Sequence, residues 1–155
     1  MKPSVKLGIT FQPKDNGEFI ATLSFQDLAS APENIDKVLK WASETYRTFT
    51  QTMLASFKEN KTRVRHGQKI PAVTFWDLGD AIFKLLENLS SRGLEFHDLY
   101  AHLIRDLKVS KSTIKRVIAL RRYIPDKEML PSDVDWGSCK DAPKKFASEL
   151  QRKNE

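Results

Sequence analysis

Residues 103–118 read Leu103-Ile104-Arg105-Asp106-Leu107-Lys108-Val109-Ser110-Lys111-Ser112-Thr113-Ile114-Lys115-Arg116-Val117-Ile118. Apolar side chains at 103, 104 and 107 bury one face of a short helix, and Val109 plugs the turn that follows. Ser110 is placed to cap a second helix, which Ile114, Val117 and Ile118 bury. The connection Lys108-Val109-Ser110 is too short for anything but a sharp corner. Two short helices meeting steeply are therefore expected.

Charge concentrates around this corner. The chain has 26 lysines and arginines against 20 acids, a formal +6. Residues 105–122 hold seven cations and one acid; residues 58–69 hold five (Lys58, Lys61, Arg63, Arg65, Lys69) and one acid. The other 125 residues carry 14 cations and 18 acids. Like charges crowded into two short stretches repel one another, an arrangement suited to a polyanion whose counterions are released on neutralisation. Two solvated basic faces are the plainer alternative.

Val109-Ser110-x-Ser112-Thr113-Ile114-x-Arg116 resembles the corner and recognition helix of bacterial and phage helix-turn-helix DNA-binding proteins, the similarity running over about residues 97–123. Ile104 stands where that superfamily usually has a small alanine, and Lys108 where it has a glycine in the left-handed conformation. The first implies a wider helix crossing; the second costs roughly 1 kcal/mol if the conformation is kept. The resemblance implies that Ser110, Lys111, Ser112 and Thr113 form the end of the helix that enters the major groove, with Lys115 and Arg116 one turn on. Arginine or lysine there can pair with guanine O6 and N7. Arg121 and Arg122, at the far end, are assigned to phosphates, as are Lys108 and the Lys61, Arg63, Arg65, Lys69 group. A weaker similarity covers residues 75–130. Phe75-Trp76-Asp77-Leu78-Gly79-Asp80-Ala81-Ile82 and Arg122-Tyr123-Ile124-Pro125 resemble the helical module preceding a PD-(D/E)XK nuclease domain in restriction-associated proteins. The serine, isoleucine and proline spacing is also similar to partition-protein helix-turn-helix domains.

Outward from the corner, Phe75, Leu78, Ile82, Leu85, Leu86 and Leu89 stripe a helix that begins near Thr74 and ends at Gly93. Residues 58–71, with their cations, Gly67 and Pro71, read as a loop. Before them, Ser30-Ala31-Pro32-Glu33 has the form of a helix start. Ile35, Leu39, Ala42, Tyr46, Phe49 and Met53 then recur at spacings of 4 and 3. That pattern fits either the seam of a helix pair or a long helix on its own core. Residues 4–25 alternate on both sides of Asn16-Gly17 and read as an antiparallel hairpin. Beyond Pro125 the chain is acidic and irregular, and Asp141-Ala142-Pro143 opens a short last helix.

No constellation points to catalysis. His66, His97 and His102 are scattered, and the five-residue step from 97 to 102 does not stack two ligands on one helix face, so a helix-surface or phosphate-side role is expected of them. Cys139, the single cysteine, excludes an internal disulfide and reads as a half-buried thiol. Asp133 and Asp135 belong to an exposed acidic loop; Trp41, Trp76 and Trp136 read as core anchors. No metal and no cofactor are expected, and the protein is read as no enzyme. No apolar run approaches the ~20 residues of a membrane span, and the N-terminus has no secretory pattern, so a cytoplasmic, nucleoid-associated protein is expected.

The expected fold is mainly α with an N-terminal β-hairpin: a helix-turn-helix domain plus one long helix. Its segments are 1–58 (hairpin and long helix, a dimerisation module), 59–73 (basic linker loop), 74–125 (helix-turn-helix domain) and 126–155 (acidic loop and short helix). The expected function is double-stranded DNA binding by a homodimer through helix 111–123. A regulatory or DNA-maintenance role in a prokaryote, phage or mobile element follows, such as transcription regulation or plasmid partition. The rivals are a basic protein–protein adaptor, using the 30–57 helix for a further partner, and an RNA binder.

Overall fold

A computed structural model describes residues 6–24, 31, 33–140 and 143–153. The protein is mainly helical with a small N-terminal sheet. The chain divides into two compact units, one made of residues 1–52 and 83–108, the other of residues 53–82 and 109–155. Two long helices, α1 (Ile35–Arg65) and α2 (Ala72–Ser91), contribute a part to each.

In the first unit, strands β1 (Leu7–Pro13) and β2 (Phe19–Leu23) form the expected hairpin, with Ile9 opposite Leu23 and Pro13 opposite Phe19. Val5 and Phe25, which the alternation included, lie outside the described residues, as do Ser30 and Pro32 of the expected helix start. Gly17 takes φ 79° in the turn, where Asn16 Oδ1 accepts from the Glu18 N–H. A third strand, β3 (Leu94–Phe96), lies parallel to β1 on its other side. Three residues are too few for alternation to reveal, and their N–H and C=O partners come from a segment about 85 residues away. The outward Ala21 N–H of β2 is taken by Ser43 Oγ of α1, 3.0 Å away, so that donor on the edge is not left for another chain.

Tyr46 fills the centre of this unit. Its ring stacks on Phe11 at 4.3 Å between centroids and meets Phe19 and Phe96 edge-on. Its hydroxyl donates to Asp106 of α3 (Leu99–Leu107). Burial, and then the Asp106 carboxylate, hold that hydroxyl protonated far above the usual phenol range. The stripe Ala42, Tyr46, Phe49 is thus spent on the protein's own core. His102, expected at a surface, is buried instead. Its Nε2 accepts from the Phe11 N–H at 2.9 Å, while Nδ1 lies 2.9 Å from the Asp98 carbonyl oxygen. An imidazole that accepts at one nitrogen donates at the other, so the ring is the neutral Nδ1–H form. Sequence spacing could not show that a strand passes over it.

In the second unit, α4 (Lys111–Tyr123) spans the helix expected at 111–123. Ile114, Val117, Ile118 and Leu120 are its buried positions, and Phe75, Trp76, Leu78 and Ile82 of α2 are buried in the same unit. Gly79 brings the two helices close: a Cβ there would stand 2.3 Å from the Val117 carbonyl oxygen. Trp76 Nε1 donates to the Ile124 carbonyl at 2.6 Å, holding the far end of α4. The last helix, α5 (Pro143–Lys153), packs on α4; Asp141 and Ala142 precede the described part.

Residues 58–65, expected as the start of a loop over 58–71 and of the 59–73 linker, are instead the last two turns of α1. Phe57, Asn60 and Val64 continue its 3- and 4-residue spacing, and no breaker precedes Gly67. There the helix closes: Gly67 N–H donates to Val64 O and Gln68 N–H to Arg63 O, with Gly67 at φ 72°. Only residues 66–71 are left to turn the chain into α2.

Candidate nucleic-acid interface

The first turn of α4 is built by its cap. Ser110 lies in extended backbone at φ −73°, ψ 155°, and its Oγ accepts from the Thr113 N–H at 3.1 Å and meets Thr113 Oγ1 at 3.0 Å. Ser110, Lys111 and Ser112 are exposed, and Thr113 is half-buried. Lys115 is exposed one turn on, beside the half-buried Arg116. The apolar side of α4 faces the core, so the polar leading edge is turned to solvent.

The tail of α1 belongs to the same unit. Lys58, Lys61 and Arg65 are exposed on it, while Arg63 is bonded to Glu59 at 3.0 Å. The tail and the α4 cap meet at one groove, of about 480 Å³, whose lining includes Lys61 and Arg65 on one side and Ser110 and Thr113 on the other. Its floor is apolar, with Phe75 and Trp136 stacked at 4.2 Å. Segment 134–136 is tied beneath it: Ala72 N–H donates to Val134 O and Trp136 N–H to Ile70 O, both at 2.8 Å. Trp136 is half-buried here, whereas Trp76 is a core anchor at 6% exposure.

The second unit holds 16 of the 26 cations and 10 of the 20 acids, so the whole +6 belongs to it, and the first unit is formally neutral. Several cations of the two basic stretches interact with the protein's own groups. Arg121 bonds Asp80 of α2 at 2.9 Å and lies 5.3 Å from the Trp76 ring centre. Arg105 bonds its neighbour Asp106 and the Phe11 carbonyl. The bond to Asp106, above all, strengthens the Arg105 guanidinium's hold on its proton. Lys69 follows the α1 tail and acts on Asp135, whose carboxyl lies below its usual range, first through the Ser138 hydroxyl and then also through the Lys69 charge. Arg122 is exposed on the last turn of α4.

Lys108 closes α3 at φ 54°, ψ 41°, the left-handed conformation, and its N–H donates to Ile104 O. It belongs to the first unit, and the division between units falls between it and Val109. Cys139 is more buried than expected, at 1% exposure; burial, with the Asp135 charge, pushes its thiol up to about 11. Among the described residues no group of three or more histidine, cysteine or acidic side chains is placed to hold a metal ion, and no helix is long and apolar enough to cross a membrane.

Asn60 was not singled out from the sequence. It lies in the groove lining at 5% exposure, and its Nδ2 has no hydrogen-bond partner among the described residues. The signal was its helical spacing from Phe57 and Val64, hidden by the basic residues between them. Compared with known proteins, the chain matches no family, no curated protein and no solved structure.

Proposed function

We propose that this protein binds double-stranded DNA, with the first turn of α4 in the major groove and the tail of α1 on the neighbouring phosphates, as a regulatory or DNA-maintenance factor. One observation carries the reading: the basic tail of α1 lines one groove with an exposed, serine-capped helix start some 45 residues on in the chain, in the unit that holds all the net charge. Lys111, Ser112, Lys115 and Arg116 read bases; Lys61, Arg65 and Arg122 neutralise phosphates. Arg121 is left out, because its guanidinium is held by Asp80. A helix start adds its own attraction for anions through the N–H groups of its first turn.

The test is selection of bound sequences from a random duplex pool, followed by band shifts on the selected and scrambled duplexes. Lys115→Ala or Arg116→Ala is expected to cost about 1–3 kcal/mol on the selected site and less on the scrambled one. Lys61→Ala and Arg65→Ala are expected to weaken both equally. No enriched sequence, or a preference for duplex RNA over DNA, overturns the reading.

A further inference from the structure

We infer that the groove between the α1 tail and the first turn of α4 is a binding site for a small aromatic carboxylate. Its size of about 480 Å³ is in the range of small-molecule sites. Trp136, stacked on Phe75, offers a flat apolar wall, and Val64 on the groove lining stands 60% exposed. A branched aliphatic side chain left in water beside an aromatic wall gains from an apolar occupant.

The charge of the occupant follows from three donors. Lys61 and Arg65 are one helical turn apart, so both line the groove from the same face of α1. Asn60 Nδ2 is buried without an acceptor among the described residues, and a buried donor with no partner is rare in a folded protein. A carboxylate neutralises the two cations, and a turn of the Asn60 side chain, which lines the same groove, brings its unpaired amide onto that acceptor. A neutral ring satisfies none of them, and a bare inorganic anion leaves the apolar wall wet.

Ser110 and Thr113 line the same groove, so an occupant alters the surface beside the α4 leading edge. It also competes with phosphate for Lys61 and Arg65. The site is thus an effector site that lowers duplex affinity, and this coupling rests on the proposed DNA binding, while the carboxylate site itself does not.

The experiment titrates the full chain with 2-naphthoate by calorimetry, with 2-naphthamide as the neutral control, and then repeats the duplex band shifts in its presence. Naphthoate is expected to bind, the amide at least tenfold more weakly. Asn60→Leu and the pair Lys61→Ala/Arg65→Ala are each expected to lose at least tenfold. Val64→Glu, a change at an exposed position that leaves the core alone, places a carboxylate in the groove and is expected to abolish binding. Thermal unfolding of each variant accompanies the titration, and Val64→Glu decides the case if Asn60→Leu does not fold. Absence of binding, equal binding of the amide, or binding indifferent to the substitutions overturns the site. With naphthoate present, wild-type duplex affinity is expected to fall while that of Asn60→Leu does not change; no fall in the wild type overturns the coupling. A chain that binds naphthoate but no duplex keeps the site and loses the DNA reading; one that binds duplex but not naphthoate does the reverse.

Discussion

Lys108 carries a side chain at φ 54°, ψ 41°, where an L-residue crowds its own backbone. Glycine meets no such cost but loses more freedom on folding. Lys108→Gly is therefore expected to raise stability by about 0.5–1 kcal/mol, and the β-branched Lys108→Val to lower it. Urea midpoints at unchanged slope check both. Cys139 makes a pH prediction. Its thiol is pushed up to about 11 from an ordinary value near 9, because burial disfavours the thiolate. The folded state therefore holds this proton more tightly than the unfolded chain. Its contribution is whole below about pH 9 and is lost as the pH rises to about 11. Urea midpoints across that window should fall more steeply for the wild type than for Cys139→Ala. Below it, the native thiol should resist alkylation that goes quickly in denaturant.

Among the elements, α4 was the most legible. Its capping serine, its apolar positions and its limits could be read because each depends on neighbours within one or two turns. Ser110→Ala removes the acceptor for the Thr113 N–H and is expected to cost about 1 kcal/mol. A conservative Ser110→Asp keeps it, and thermal unfolding of both separates the cap from other effects. The α1 tail was misread because lysine and arginine are good helix formers whose charge says nothing about helix or loop. The decisive residues were Phe57, Asn60 and Val64, whose spacing the basic run obscured. Gly79 carries a prediction of a different kind. Alanine there is a better helix former, yet its Cβ would meet the Val117 carbonyl oxygen. Gly79→Ala is expected to destabilise the second unit by about 1–3 kcal/mol, read as a lowered unfolding midpoint.

For the molecule as a whole, the distribution of charge between the two units matters more than its total. With a neutral first unit and +6 in the second, duplex binding should follow the second unit's exposed cations. The logarithm of affinity is expected to fall linearly with that of salt. Each of Lys61→Ala, Arg65→Ala and Arg122→Ala should reduce the slope by about 1. Arg121→Ala should leave the slope unchanged and lower stability instead, since it removes the ion pair with Asp80. A slope that moves with Arg121 but not with Arg122 overturns this division of roles.

The local code was sufficient for the hairpin turn at Asn16-Gly17, the serine cap at Ser110 and the mainly helical class, since each rests on interactions within a few residues of the chain. It was also sufficient for the uneven charge. Tertiary structure alone decided what requires distant partners. It assigned the Tyr46 stripe to the sheet, recruited β3 beside β1, buried His102 under Phe11, and drew Arg121 onto Asp80. It also joined the α1 tail to the α4 cap around one groove. A side chain's partners across 40 to 90 residues of chain depend on packing and loop closure, which neither periodicity nor composition records.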